Sequence, residues 1–145
     1  MARISDYGLI GDCHTVALVA RDATIEWWCP ERFDAPSVFA KMLDPDAGHC
    51  AVRIEDCRST NRHYVQDTNV LATILTNDDG ELEVTDCMPV AAFDDTRPAA
   101  VRSAHTILRR VRCLAGEVEV IVDVSLKPDY ARPNPEPTDV TVLAT

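Results

Sequence analysis

The chain has 145 residues, with 24 aspartates and glutamates against 14 lysines and arginines, and a net charge of −10. A chain of this length is expected to form one domain that buries about 70% of its unfolded surface. The acidic balance argues against nucleic acids and anionic membranes as partners, because binding to phosphates needs clustered cations.

The amino-terminal residues, MARISDYGLIGDC, lack a charged segment followed by an apolar one, so no signal peptide is predicted. The longest apolar-rich run, EVEVIVDVSL, is short and interrupted by acids, so no membrane span is predicted. Six cysteines are scattered without a C-x-x-C pair. In a chain without a secretory signal they are expected to be reduced thiols, and the predicted location is the cytoplasm.

Alternating apolar and polar residues dominate the first half of the chain. They predict strands at 16–20, 24–28, 50–55 and 63–66. A short helix is predicted over 36–43, because Pro36 suits a first helical position and Phe39, Met42 and Leu43 follow helical spacing.

Two hairpins are predicted in the second half. The run NVLATILTNDDGELEVTDCM contains a turn at residues 77–80, where Gly80 suits a left-handed position. The runs TILRRVRCL and EVEVIVDVSL are separated by Ala115-Gly116, which predicts a two-residue hairpin loop. The basic cluster of Arg109, Arg110 and Arg112 lies within the first of these runs and is interpreted as a solvated face.

The segment KPDYARPNPEPTD holds four prolines, which cannot donate to a central ladder, and is interpreted as an extended linker. The alternation in the final DVTVLAT is compatible with an edge strand. These elements predict an all-β fold, an antiparallel β-sandwich with one short helix. The sandwich is expected over residues 1–130, and the linker with its edge strand over 131–145.

Several chemistries are disfavoured by spacing, and neither a metal nor another cofactor is predicted. His49, Cys50, Cys57 and His63 do not form the close pairs on tight turns that zinc sites use. No G-x-S-x-G nucleophile elbow occurs, and two glycines in YGLIGDC are too few for a phosphate-binding loop.

Acidic and aromatic residues near the amino terminus carry the remaining candidates. Asp12 and Asp34 adjoin aromatic residues, where a carboxyl pKa can rise, although a solvated turn acid is the commoner role for each. Trp27 and Trp28 are consecutive on a predicted strand and must face opposite sides of it. Alternation assigns Trp27 to the core with Ile25. Trp28 is then on the polar side, where the following loop, a partner domain or a ligand must cover it.

The stretch YGLIGDCHTVALVARDATIEWWCPERFDAPSVFAKML resembles the signature of the N-terminal domain of bacterial glucoamylases and trehalase-like glycoside hydrolases. The stretches VTDCMP and RRVRCLAGEVEV…KPDY also match that family, so the similarity runs from about Ile4 to Tyr130. Three positions depart from the family pattern. Asp22-Ala23 replaces Asp-Gly, Glu31 separates Pro30 from the Arg-Phe-Asp motif, and Cys87 replaces a phenylalanine.

The resemblance implies a super-sandwich domain that packs on a catalytic α/α-barrel, which this chain is expected to lack. In that family the catalytic glutamates belong to the barrel, so no catalytic residue is expected here. The implied interdomain or sugar-proximal residues are Asp12, Trp27, Trp28, Arg32, Phe33 and Asp34. The implied partners are the barrel and α-linked glucosides, and an exposed barrel-facing patch would permit self-association.

Two other functions remain open at the level of sequence. A free-standing carbohydrate-binding or regulatory protein would use Trp27 or Trp28 as an exposed sugar platform. A non-functional remnant of a broken reading frame would expose its barrel-facing patch and be poorly soluble.

Overall fold

A computed structural model describes residues 3–90 and 105–132 of the chain. Within these two ranges, nine antiparallel strands form two sheets, which confirms the all-β sandwich. The first sheet has the order β1-β2-β3-β4-β9, and the second has the order β5-β6-β7-β8. The strands are β1 (Gly8–Gly11), β2 (Val16–Val19), β3 (Ile25–Trp28), β4 (His49–Ile54), β5 (Ser59–Tyr64), β6 (Leu71–Thr76), β7 (Gly80–Cys87), β8 (Leu108–Gly116) and β9 (Val120–Ser125).

Helical structure in the described ranges is limited to two single turns. A 3-10 turn covers Ile4–Asp6, and α1 covers Pro128–Ala131. No helix in these ranges is long and apolar enough to cross a bilayer. The segment 139–145, for which an edge strand was considered, lies outside the described residues, as does most of the predicted linker.

The helix predicted over residues 36–43 is wrong. Residues in this segment instead pair with the end of β3, where the Val38 amide donates to the Trp28 carbonyl at 2.9 Å. The Trp28 amide in turn donates to the Phe39 carbonyl at 3.0 Å. A helix of eight residues is marginal in water and needs tertiary packing to be stable. The extended conformation is favoured here because it places Phe39 over Trp28.

The hairpin predicted between residues 69 and 88 is confirmed as β6 and β7. Asn77 closes its turn, because its side-chain oxygen accepts the amides of Asp79 and Gly80, each at 3.0 Å.

The second predicted hairpin is wrong. β8 pairs with β7 in the second sheet, whereas β9 pairs with β4 in the first. Gly116 does have the expected positive φ of 70°, but it ends β8 opposite Gly80. The chain then crosses from one sheet to the other, and Val118 packs against the core at this corner. Periodicity finds both strands but carries no information about the sheet to which each belongs.

The core consists of two apolar clusters. One is centred on Ile10, Val19, Ile25, Phe39 and Leu71, and the other on Val52, Ile54, Leu75, Leu82 and Val84. A buried ion pair, Asp86 with Arg109, is formed across β7 and β8, whose inner faces line the interior. The aspartate is fully buried and the arginine side chain is 11% exposed.

Arg109 joins the two sheets through one guanidinium group. Its Nε and Nη2 donate to the Asp86 carboxylate at 2.7 and 3.2 Å, and its Nη1 donates to the Cys50 carbonyl of β4 at 2.7 Å. Nη2 also donates to the carbonyl of Ala23. The interpretation of the basic cluster as a solvated face therefore holds for Arg110 and Arg112 but is wrong for Arg109. The buried carboxylate on the neighbouring strand draws this side chain inward.

The charge of Arg109 is maintained despite its burial. Burial alone would lower the pKa of this guanidinium, but the Asp86 carboxylate raises it above its ordinary value. Burial raises the pKa of Asp86, and Arg109 opposes that rise. The pair is thus stable only as a unit, because either partner alone would be a buried charge without compensation.

The turn at Asp22-Ala23 is strained, because alanine stands where the family pattern has glycine. Ala23 adopts a positive φ of 64°, which costs about 1–2 kcal/mol for a residue with a Cβ. The side chain is fully buried in the second cluster, and the carbonyl is held by Arg109. Burial of one methyl group, at about 0.8 kcal/mol, offsets part of this strain.

Replacement of one partner of the buried pair is expected to destabilise the fold severely. Arg109→Met should lower the free energy of unfolding by about 3–5 kcal/mol, because it leaves the Asp86 carboxylate buried and unpaired. The double variant Asp86→Leu/Arg109→Met should be more stable than Arg109→Met. Urea unfolding of the purified chains measures both.

Arg112→Met is the matched control, because Arg112 pairs with Glu83 at 3.0 Å on the outer face of β8 and is half exposed. Its cost should stay below about 1 kcal/mol. Equal costs for Arg109→Met and Arg112→Met would contradict a structural role for the buried pair.

Candidate functional site

The candidate site is built on the end of β3, where a β-bulge reverses the faces of the two tryptophans. Across from β2, Val19 is opposite Ile25, Leu18 is opposite Trp27 and Ala17 is opposite Trp28, which leaves Glu26 as the extra residue. An extra residue shifts the side-chain alternation by one position. Ile25 and Trp28 therefore share the inner face, whereas simple alternation predicts that Ile25 and Trp27 do.

Trp28 packs against the first core cluster and Trp27 does not, so the predicted assignment of the two side chains is wrong. Of the three covers considered for Trp28, the structure shows the following loop. The ring centroids of Trp28 and Phe39 are 6.1 Å apart, and the two backbones form an isolated bridge. The indole N–H is buried and makes no hydrogen bond in the described part of the chain.

Trp27 lies on the outer face beside Tyr130, with ring centroids 6.0 Å apart and planes inclined at 50°. Tyr130 belongs to α1, in which residues 129–131 have φ values of 52°, 56° and 59°. A left-handed turn of three residues with side chains is strained. It is attached to the core by the Lys127 amide, which donates to the Val38 carbonyl at 3.2 Å.

Cys29 lies buried between this turn and the core. Burial raises the pKa of its thiol, and a hydrogen bond with Tyr130 opposes that rise. The pKa of Tyr130 is raised in turn, first by burial and then by Cys29. Cys29 is therefore a neutral thiol at pH 7 and packs as a small apolar side chain.

Residues 29–37 form a loop, the 29–37 loop, between β3 and the bridge at Phe39, with buried ends and an exposed tip at residues 31–34. Its tip is a turn in which the Ala35 amide donates to the Arg32 carbonyl at 3.0 Å. Arg32 binds Asp34 with two parallel bonds, from Nε to Oδ1 at 2.9 Å and from Nη2 to Oδ2 at 3.1 Å. Phe33, between them, is 61% exposed. The ion pair thus brackets an aromatic ring that lies outside the domain core.

Asp12 supports this region from inside the domain. It is fully buried, and its Oδ1 accepts the amides of His14 at 3.0 Å and Thr15 at 2.8 Å. The hydroxyl of Thr15 donates to the carbonyl of Cys29, at the start of the 29–37 loop. Asp12 is therefore not a solvated turn acid, whereas Asp34 is exposed and fits that description.

The six candidate residues therefore lie in three different environments. Asp12 and Trp28 lie in the supporting interior, Trp27 lies on the outer sheet face, and Arg32, Phe33 and Asp34 form the exposed tip. The structure adds Thr15, Phe39 and Tyr130 to this region. Tyr130 was assigned to the end of the domain, and only its place in the KPDY stretch could have drawn attention to it.

This arrangement is suited to recognition rather than to acid–base chemistry. A glycosidase needs two carboxyl groups on either side of a groove. Asp12 is buried within a turn, and the Asp34 carboxylate is occupied by Arg32. Two surface pockets of about 490 and 310 Å³ lie elsewhere, and neither is lined by the 29–37 loop. Within the described ranges, no three His, Cys, Asp or Glu side chains are grouped to hold a metal.

Comparison with known proteins places these features in a family. The family model described as trehalase-like, N-terminal, matches residues 1–136. Three trehalases illustrate the similarity to curated proteins. The trehalase of Mycolicibacterium smegmatis is 33% identical over 139 residues, which cover 89% of this chain and 21% of that protein. The trehalase of Mycobacterium tuberculosis is 30% identical over 139 residues, covering 89% of this chain and 20% of that protein. Trehalase 1 of Sulfolobus acidocaldarius is 38% identical over 91 residues, covering 62% of this chain and 16% of that protein.

The chain spans only about a sixth to a fifth of the length of these relatives. No solved structure matches it with significant similarity.

The reversed tryptophans lead to a direct test of the site's construction. Trp28→Ala should lower the free energy of unfolding by about 3–5 kcal/mol, because it removes a large side chain from the first core cluster. Trp27→Ala should cost about 1–2 kcal/mol, since it removes an outer ring that packs against Tyr130. Thermal and urea unfolding of both variants provide the comparison. A larger cost for Trp27→Ala would contradict the bulge in β3.

Proposed function

The chain belongs to the trehalase-like N-terminal family, and on that premise we propose that it is the accessory β-sandwich domain of a trehalase- or glucoamylase-type glycoside hydrolase. In this role it packs on a catalytic α/α-barrel and borders the sugar site, and it is inert alone. The relatives named trehalase are about five times as long as the matched region, which leaves room for a catalytic domain in such a protein.

The observation that carries this proposal is the exposed tip of the 29–37 loop. An aromatic side chain in water is an unfavourable feature unless another surface covers it, and aromatic anchors dominate the energetics of interfaces. The bidentate pair of Arg32 and Asp34 flanks the exposed Phe33, so the tip offers charged and aromatic groups together to another surface. Asp12, through Thr15, and Trp28 keep the base of the loop in place.

The proposal also covers the full-length protein to which such a domain would belong. It would be an inverting hydrolase of α-linked glucosides in carbohydrate metabolism, with its catalytic glutamates in the barrel. A cytoplasmic location is supported by the six cysteines, none of which forms a disulfide. In the absence of the barrel, exposed side chains such as Phe33 and Leu43 would offer a patch for self-association.

The isolated chain is expected to release no glucose from trehalose or maltose. The physical reason is that neither Asp12 nor Asp34 is free to act as half of an acid–base pair. A coupled glucose assay with pure protein measures this, and tryptophan fluorescence titrated with trehalose and maltooligosaccharides runs in parallel. Turnover that is abolished by Asp12→Asn or Asp34→Asn would refute an inert domain. Saturable fluorescence quenching would favour the rival function of a free-standing carbohydrate-binding protein.

A chimera tests the interdomain role of the loop. Residues 1–136 of this chain would replace the matching segment of the Mycolicibacterium smegmatis trehalase, and kcat/KM for trehalose would be measured. Phe33→Ala and Arg32→Ala are each expected to lower kcat/KM about tenfold, since truncating an interface anchor costs about 1–2 kcal/mol and weakens the packing of the domain on the rest of the protein.

Arg58→Ala is the matched control, because Arg58 is also exposed and also pairs with an aspartate, Asp78, but on a different surface. It should leave kcat/KM unchanged. If Phe33→Ala and Arg32→Ala behave like Arg58→Ala, or if a folded chimera has no activity, the 29–37 loop is not the docking element.

A further inference from the structure

In the described ranges, the first sheet has one strand more than the second. At one side of the sandwich, the Tyr64 hydroxyl of β5 accepts the Leu9 amide and donates to the Leu9 carbonyl, each at 2.8 Å, so β5 lies over β1. At the other side, Arg109 of β8 donates to the Cys50 carbonyl at 2.7 Å, so β8 lies over β4. The four strands of the second sheet thus face β1 to β4, and β9 extends beyond the last of them.

The overhang leaves the apolar face of β9 in solvent. Its register with β4 places Val120 and Val122 opposite Ile54 and Val52, which belong to the core. Val120 is nevertheless 37% exposed, Val122 57% and Val124 38%. Valines directed toward the interior are this exposed because, in the described part of the chain, no strand of the second sheet lies above them.

β8 continues this apolar surface in the second sheet. Leu82 and Val84 of β7 are buried and lie opposite Cys113 and Val111, so these two side chains of β8 also point inward. Both are exposed. β8 is an edge strand within the described ranges, and every second amide of an edge strand points away from its sheet. The edge of β8 and the face of β9 therefore border one opening, the β8–β9 cleft, which is lined by Val111, Cys113, Val120, Val122 and Val124.

The geometry of the cleft suits a β-strand. A strand placed beside β8 can pair with its backbone, as extended segments do when they add to an exposed sheet edge. Its alternate side chains then point toward the first sheet, which lies about 10 Å away in a sandwich, and cover the valines of β9. A helix could cover the valines but could not pair with the backbone of β8.

Longer relatives contain enough polypeptide to supply such a strand. The matched family model is that of an N-terminal domain, and the two mycobacterial trehalases are about five times as long as the matched segment. A second copy of this chain is the less favourable source. Each copy carries a net charge of −10, so two copies repel each other.

We propose that, in a full-length trehalase-type protein, an apolar strand from outside the matched segment pairs with the edge of β8 and covers the valines of β9. It becomes the fifth strand of the second sheet, which then matches the five strands of the first. This inference rests on the proposed function, in which the chain is one domain of a longer hydrolase. It assigns the β8–β9 cleft to an added strand, whereas the 29–37 loop docks on the catalytic barrel.

Alkylation of the native thiols tests the proposal, because Cys113 lies in the cleft. In the isolated chain, Cys113 is expected to react with iodoacetamide as fast as Cys57, which is also exposed. Cys57 is the matched control. Its Sγ donates to the carbonyl two residues later at 3.5 Å, as that of Cys113 does at 3.4 Å, but it lies before β5 on a different surface.

The same two thiols are then compared in the chimera of residues 1–136 with the Mycolicibacterium smegmatis trehalase. Cys113 should react at least about tenfold more slowly there, since the covering strand must open before the reagent reaches the thiol. Cys57 should keep the rate that it has in the isolated chain. Peptide mass spectrometry measures the two thiols separately.

A pair of variants in β9 provides a second measurement in the chimera. Val122→Asp directs a charge into the cleft and should restore fast alkylation of Cys113, because a carboxylate is not accommodated beneath an apolar strand. Ile121→Asp adds the same charge one residue away on the outer face, and should leave Cys113 protected.

Three results would overturn the proposal. Slow alkylation of Cys113 in the isolated chain would show that the cleft is already filled, by a second copy if the rate falls as the protein concentration rises and by the chain itself if it does not. Fast alkylation of Cys113 in an active chimera would show that the cleft stays open, while leaving the docking role of the 29–37 loop intact. Equal effects of Val122→Asp and Ile121→Asp would show that the protection has another cause. Protection of Cys113 in a chimera that is insensitive to Phe33→Ala would instead support the added strand and contradict only the docking role of the loop.

Discussion

The fold depends on one buried ion pair, because the Arg109 guanidinium is bonded to three separate parts of the sandwich. It binds the Asp86 carboxylate on β7, the Cys50 carbonyl on β4 and the Ala23 carbonyl in the turn before β3. Hydrophobic contact between two sheets is non-directional and permits sliding, whereas these bonds have directions and partners. The relative position of the two sheets is therefore set by a polar group inside an otherwise apolar interior.

The position of the candidate site follows from that constraint. The carbonyl of Ala23 is held at the entry to β3, and the residue accepts a positive φ there. The bulge at Glu26 then turns Trp28 inward, where Phe39 covers it, and Trp27 outward, where Tyr130 packs beside it. The 29–37 loop leaves the sheet with its base in the core and its tip in solvent.

The two edges of the first sheet differ in how completely other parts of the domain cover them. Polar side chains of β5 bind the backbone of β1 at one side of the sandwich, while β9 carries exposed valines at the other side. The two exposed features, the loop tip and the β9 edge, are separate surfaces and call for different partners.

Local periodicity was sufficient for most strands and for the hairpin around Asn77, because alternation and turn chemistry act within a few residues. The family resemblance, carried by the YGLIGDC and RFDAP stretches, added the expected architecture and the exposed loop. Three features required the tertiary structure. The bulge in β3 reversed the tryptophans, since one extra residue inverts every side chain beyond it. The sheet that β9 joins was decided by pairing with β4, which lies about seventy residues earlier in the chain. The burial of Arg109 was decided by Asp86 on the neighbouring strand. Sequence alone thus determined most of the segments that form strands, whereas only the three-dimensional structure decided which strands pair, which face of β3 is the inner one and which charges are buried, because those depend on partners distant in the chain.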